Sequence, residues 1–143
     1  MQVVDVLRAK PPREVVTIAP EAGVRDLLAL LAEHNVGALV VSADGSRLDG
    51  IVSERDVVRH LHAGGAVVDA EVGAIMTASV VTCAPGDDLD TLMTVMTRRR
   101  VRHVPVVEDE RLVGIVSIGD VVKHKIDRLE FERDQLDSYL HQG

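Results

Sequence analysis

The sequence predicts an α+β fold, α/β-like in its element order: two β-α-β-β-α repeats packed through their sheets, then a charged C-terminal helix. Three observations carry this expectation. First, Gly50-Ile51-Val52-Ser53, with Asp56-Val57-Val58 behind it, recurs 64 residues later as Gly114-Ile115-Val116-Ser117 with Asp120-Val121-Val122. Upstream, Thr17-Ile18-Ala19-Pro20 recurs 65 residues later as Thr82-Cys83-Ala84-Pro85, and the one-residue difference falls in the turn around Ser42–Ser46. Second, each copy alternates β-branched runs with helically spaced apolar positions. Third, one copy of roughly 60 residues is close to the lower size limit for an independent core, so two must share burial.

The elements follow in order. Val15-Val16-Thr17-Ile18 and Val80-Val81-Thr82-Cys83 read as short strands stopped at Ala-Pro. Helices come next, through Val24, Leu27, Leu28, Leu30 and Leu31 in copy one and Leu89, Leu92, Met93, Val95 and Met96 in copy two. Asp87 and Asp88 stand where helix starts favour acids. Strands 38–41 and 48–52 then flank a turn at Asp44-Gly45, and strands 104–107 and 111–116 flank one at Glu108-Asp109-Glu110. A closing helix begins at Ser53 or at Ser117. Ala63-Gly64-Gly65-Ala66 stops the first of these and joins the copies, giving repeats at 1–63 and 64–126 and a tail at 127–143. In the tail, Val122, Ile126, Leu129, Leu136 and Leu140 keep a 4-3 spacing interrupted by Arg133. Two readings fit it: a charged helix packed by one edge on its own domain, or a stripe that pairs with another subunit.

Composition excludes several functions. The 143 residues are 46% hydrophobic but include one Tyr, one Phe and no Trp, so the core is aliphatic and stacking platforms for single-stranded nucleic acid are missing. A net charge of −7 is unsuited to coating a phosphate polymer. No apolar run reaches the roughly 18 residues of a membrane span. The N-terminal stretch carries charges throughout, which is unlike a secretory signal. A lone Cys83 fits a reducing compartment, and the expected location is the cytoplasm. No nucleophile elbow, P-loop, His-Glu-x-x-His or cysteine cluster is present, and His60 and His62 do not share a helix face. Neither catalytic nor metal-ligating residues are therefore expected.

Two features point to a ligand. Ser53-x-x-Asp56 and Ser117-x-x-Asp120 are helix caps, with a serine N-cap and an acid three residues on. The same geometry places a hydroxyl and backbone N–H groups where an anion binds, and a carboxylate where the two hydroxyls of a ribose fit. Arg98-Arg99-Arg100-Val101-Arg102-His103 is the asymmetric feature, since copy one has Glu33-His34-Asn35-Val36-Gly37-Ala38 instead. Arg98, Arg99 and Arg100 suit a solvated helix C-terminus. Arg102 and His103 enter the strand and are placed to meet an anion.

These residues carry a resemblance. Thr-x-x-Pro at 17–20 and 82–85, Val-Arg-His-Val-Pro-Val-Val at 101–107 and the twice-occurring Gly-Ile-Val-Ser-x-x-Asp-Val-Val resemble cystathionine β-synthase (CBS) domains. Over residues 1–126 the chain is similar to a stand-alone tandem CBS pair, or Bateman module. The resemblance implies a pseudo-two-fold module with two clefts for an adenosine-type ligand. One cleft would combine Ser53, Arg55 and Asp56 with Ile75, Met76, Thr77, Arg102, His103 and Val104. The other would combine Ser117 and Asp120 with Leu7, Arg8, Lys10, Gly37, Ala38 and Leu39. The first is favoured, because Arg102 and His103 of the opposite repeat are better phosphate ligands than Gly37 and Ala38, and Arg55 adds a cation that Gly119 does not. Copy one lacks the proline of Val104-Pro105, and Lys10-Pro11-Pro12-Arg13 lengthens its lead-in. The implied function is regulatory sensing of AMP, ADP, ATP or NAD, with no required cofactor. The implied partners are a second copy in a homodimer and a regulated protein; the alternative is a ligand-free scaffold.

Overall fold

The structure, a computed structural model, describes residues 1–11 and 15–141; Pro12 and Arg13 of the lengthened lead-in lie outside them. In chain order the elements are α1 (Val3–Ala9), β1 (Thr17–Ile18), α2 (Val24–His34), β2 (Ala38–Val41), β3 (Gly50–Ser53) and α3 (Glu54–His62). A 3-10 turn at Val67–Asp69 follows, then α4 (Val72–Ile75), α5 (Leu89–Arg99), β4 (His103–Glu108), β5 (Arg111–Ser117) and α6 (Ile118–His141). The repeated α+β unit is present twice, with the long charged helix at the end.

In the first sheet, β1 runs parallel to β2 with Thr17 opposite Val40, and β2 runs antiparallel to β3 with Ala38 opposite Ser53. In the second, β4 and β5 pair antiparallel with His103 opposite Ser117. The expected strand at 80–83 is reduced to a single parallel bridge, Cys83 to Val106. Pro105 occupies the position of Val40 and has no N–H to donate, so the ladder cannot extend past that bridge. The expected strand at 48–52 also starts late. The Asp49 carboxylate accepts the Ala43 amide at 2.8 Å and holds Leu48-Asp49 in the loop. The 108–111 hairpin turns through Asp109 and Glu110, with φ of 51° and 64°, matching the twist of the strands without a glycine.

Amphipathic spacing decided which side of each helix is buried. In α2 the fully packed residues are Val24, Leu27 and Leu31, and in α5 they are Leu89, Leu92 and Met96. Leu28 is left 38% exposed, so the apolar stripe is narrower than its sequence.

The lead-in segments were not expected to form helices, and they cross between the repeats. Val72 and Ile75 of α4 enter the core built by Leu27, Leu39 and Val52. Val3 and Val6 of α1 enter the core built by Leu89, Val104 and Val116. Matching backbone bonds fix the exchange: Val72 N donates to Ala22 O at 2.8 Å, and Val3 N donates to Asp87 O at 2.9 Å. Each covalent repeat therefore lends its first helix to the other repeat's core. The glycines heading Gly-Ile-Val-Ser make room for it. A Cβ on Gly50 would lie 2.9 Å from Thr77 O and 2.7 Å from Met76 Sδ, and one on Gly114 would lie 2.9 Å from Leu7 Cδ2. These glycines admit the chain's own lead-ins, where close approach of a ligand was equally consistent with the sequence.

Candidate functional site

Two clefts open where the repeats meet, and Ala38 lines both. Each has a helix start at its base. In both repeats the residue after the serine is tied to the strand opposite: Glu54 N donates to Gly37 O at 3.0 Å and Ile118 N to Arg102 O at 2.8 Å.

The Asp56 cleft holds about 490 Å³. Ser53 and Asp56 form the capping box that their spacing predicts. The Asp56 amide donates to Ser53 Oγ at 3.4 Å, and the Ser53 amide and hydroxyl donate to Asp56 Oδ2 at 2.8 and 3.1 Å. Capping and ligand binding are therefore compatible, since among the described residues Asp56 Oδ1 accepts no hydrogen bond. Thr77, Arg102 and His103 of the second repeat line the same cleft as Arg55 of the first. Arg55 Nη1 donates to Arg100 O at 3.4 Å, linking the start of α3 to the end of α5.

Three expected residues do not line this cleft. Val104 (0% exposed) and Ile75 (4%) are in the two cores, and Met76 is packed behind Gly50. Alternation along β4 explains Val104: if His103 faces the cleft, its neighbour faces the core. Arg98, Arg99 and Arg100 are exposed at the end of α5, as a solvated helix end requires, and Arg99 and Arg100 also line the cleft together with Arg59. The i,i+4 spacing of Arg55 and Arg59 on one helix face was the available signal.

The second cleft holds about 520 Å³. It contains Leu7, Lys10, Ala38, Leu39 and Asp120 as expected, while Arg8 and Ser117 lie off its lining and Gly37 lines the Asp56 cleft. Its carboxylate already has a cation: Lys10 Nζ donates to Asp120 Oδ2 at 2.8 Å and to Ile115 O at 3.1 Å. Burial pushes the Asp120 carboxyl up, but the Lys10 bond and the Ser117 amide outweigh it and hold it below 3.8.

His103 lines the Asp56 cleft, its ring 3.6 Å from where a Gly37 Cβ would be. Burial lowers its pKa below 6.5. The Asp120 and Glu54 carboxylates oppose that, and the Lys10 and Arg102 cations reinforce it. The ring therefore lines the Asp56 cleft with its pKa held below the ordinary value. Cys83 is unsuited to chemistry, its thiol pushed up to about 11 by burial and by nearby Asp87. Among the described residues no three His, Cys, Asp or Glu side chains converge as metal ligands, and no helix is long and apolar enough to cross a membrane.

The CBS domain profile matches residues 4–63 and again 72–127. The chain belongs to the CBS-domain family. The tandem CBS pair is 38% identical over 125 residues to the mitochondrial CBS domain-containing protein CBSX3 of Arabidopsis thaliana, covering 84% of this chain. It spans 61% of that protein's length. Among solved structures, the CBS-domain protein ATU1752 of Agrobacterium tumefaciens superposes with a TM-score of 0.81 at 41% identity, over 87% of this chain and 99% of that one. The CBS domain protein PAE2072 of Pyrobaculum aerophilum, solved in complex with AMP, superposes with a TM-score of 0.72 at 27% identity, covering 84% and 89% of the two chains.

Proposed function

We propose that this CBS pair is a regulatory module that binds an adenine nucleotide in the Asp56 cleft and passes occupancy to a partner or a second copy of itself. The observation that carries the reading is one juxtaposition. The capped start of α3, with Asp56 Oδ1 available, faces Arg102 and His103 of the other repeat across about 490 Å³, a volume in the range of small-ligand sites. Asp56 would accept the ribose hydroxyls, and Arg55, Arg102 and His103 would meet phosphate. The AMP complex of the Pyrobaculum relative supports AMP as the first ligand to test, with ADP, ATP and NAD next. Because the cleft is built from both repeats, a bound nucleotide favours one relative placement of them, which is the quantity a partner can read.

The reading is of binding and not of turnover, so nucleotide recovered after long incubation should be unchanged. The test is thermal: a ligand that binds only the folded state raises the melting temperature with concentration. A rise with AMP, ADP, ATP or NAD is expected, and no rise with any of them at millimolar concentration overturns the reading.

Assembly is a second reading with its own observation. Every residue of α6 from Ile126 to His141 is exposed, including Leu129, Phe131, Leu136 and Tyr139. A projecting helix of this kind is marginal alone in water. Its first half nearly balances Lys123, Lys125 and Arg128 against Asp120 and Asp127, and its second half sets Glu130, Glu132, Asp134 and Asp137 against Arg133, so burial of the exposed apolar residues rather than charge is what a second copy would supply. A homodimer is the form proposed.

A further inference from the structure

The two clefts differ in charge more than their shared ancestry requires. Five guanidiniums line the Asp56 cleft, those of Arg55, Arg59, Arg99, Arg100 and Arg102, against the two carboxylates of Glu54 and Asp56. Among the described residues none of the five is in a salt bridge. Arg55 and Arg59 repel one another along α3. Arg99 and Arg100 gather at the C-terminus of α5, where Arg100 adopts a left-handed φ of 54°. Like charges held around a concavity focus a field that favours an anion.

The Asp120 cleft is built the other way. Lys10 and Lys123 are matched by Asp120 and Asp127, and Lys10 is already bonded to Asp120 at 2.8 Å. Most of the remaining wall is aliphatic, from Leu7, Val15, Val16, Val36 and Leu39. Among the described residues a polyphosphate entering here finds no lysine or arginine without a matching carboxylate, and its charge loses hydration without replacement. An uncharged group finds apolar surface.

We infer that the two clefts take adenosine ligands of different charge: a nucleoside polyphosphate in the Asp56 cleft, and an adenosine compound without a charged tail in the Asp120 cleft. This rests on the adenine-nucleotide reading above and specifies it. One chain would then report two metabolite classes at once.

The experiment is a calorimetric series with adenosine, AMP, ADP and ATP at low and high ionic strength. It uses the full chain as wild type, as Lys10→Met with Asp120→Asn to read the Asp56 cleft, so that no cation is freed in the other, and as Asp56→Asn to read the other. In the Lys10→Met, Asp120→Asn variant, affinity is expected to rise about tenfold with each added phosphate at low salt and to fall steeply with added salt. In Asp56→Asn, adenosine is expected to bind at least as tightly as ATP. A further variant, Arg59→Gln with Arg99→Gln, changes only exposed side chains and is expected to compress the ATP-to-adenosine ratio about tenfold. The same phosphate order in both clefts, or an unchanged ratio in the arginine variant, overturns this inference while leaving adenine binding intact. No binding of any of the four to wild type overturns the adenine reading and this inference with it.

Discussion

Gly50→Ala tests the exchange of lead-in segments that builds both clefts. The new Cβ would lie 2.9 Å from Thr77 O, a backbone atom, and 2.7 Å from Met76 Sδ. Thr77 cannot retreat freely, because its amide and carbonyl both bond Ile51, at 2.8 and 2.9 Å. Overpacking against fixed backbone costs about 1–3 kcal/mol, and the strand gains back about 0.5–1 kcal/mol on losing a glycine. The net loss is about 1–2 kcal/mol. With a urea slope of about 1.5 kcal/mol/M, the unfolding midpoint falls by about 1 M. Two other glycines calibrate the result. Gly114→Ala meets only the tip of the Leu7 side chain at 2.9 Å, so its loss is smaller. Gly119→Ala lies in α6, with Ser117 Oγ 3.6 Å away, and stabilises by about 0.5–1 kcal/mol. Urea melts of the three variants read the order directly. A Gly50→Ala protein as stable as wild type, or less perturbed than Gly114→Ala, would refute the packing argument.

Four further outcomes follow from the same geometry. Asp120 is held below its ordinary 3.8, so its stabilisation is present above that value and lost as pH falls through the folded one. Lys10→Met leaves burial less opposed, so the acid-unfolding midpoint should move up in pH, with about 1 kcal/mol lost at neutral pH. His103 is depressed below 6.5, so its contribution is complete above pH 6.5 and lost as pH falls through the lower folded value; His103→Gln should flatten the stability curve in that window. Glu110→Gly relieves a φ of 64° and should stabilise by about 0.5–1 kcal/mol in the same urea assay. Truncation after Ile126 removes the exposed half of α6, and light scattering should show a weakened dimer with the repeats still folded; an unchanged dimer would place assembly in the repeats.

The duplication made most of the fold legible, because a motif that occurs twice at one offset fixes element order without any local preference. The repeated capping signal was equally plain, and Ser53-Asp56 and Ser117-Asp120 adopt it. The crossing helices were harder to see. Val3-x-x-Val6-Leu7 and Val72-x-x-Ile75-Met76 share a pattern, but they are short, and nothing in a linear pattern states that each packs against the opposite repeat. Of the polar residues expected in the clefts, Asp56, Arg102, Lys10 and Asp120 line them, while Arg8 and Ser117 do not. Of the apolar ones, Leu7, Ala38 and Leu39 line the Asp120 cleft, while Ile75, Met76 and Val104 are in or against the cores, because strand alternation and close packing behind Gly50 decide their side. The partnership of Lys10 with Asp120 spans 110 residues and follows only from the folded chain.

The central claim is that a nucleotide sits between Asp56 of one repeat and Arg102 and His103 of the other. Amide chemical-shift mapping during an AMP titration tests it most directly. The account predicts saturable shifts at the amides of Ser53 to Asp56 and, in step with them, at Arg102 and His103, all abolished in Asp56→Ala. Shifts that saturate elsewhere, or no saturable shift with AMP, ATP or NAD, would contradict it.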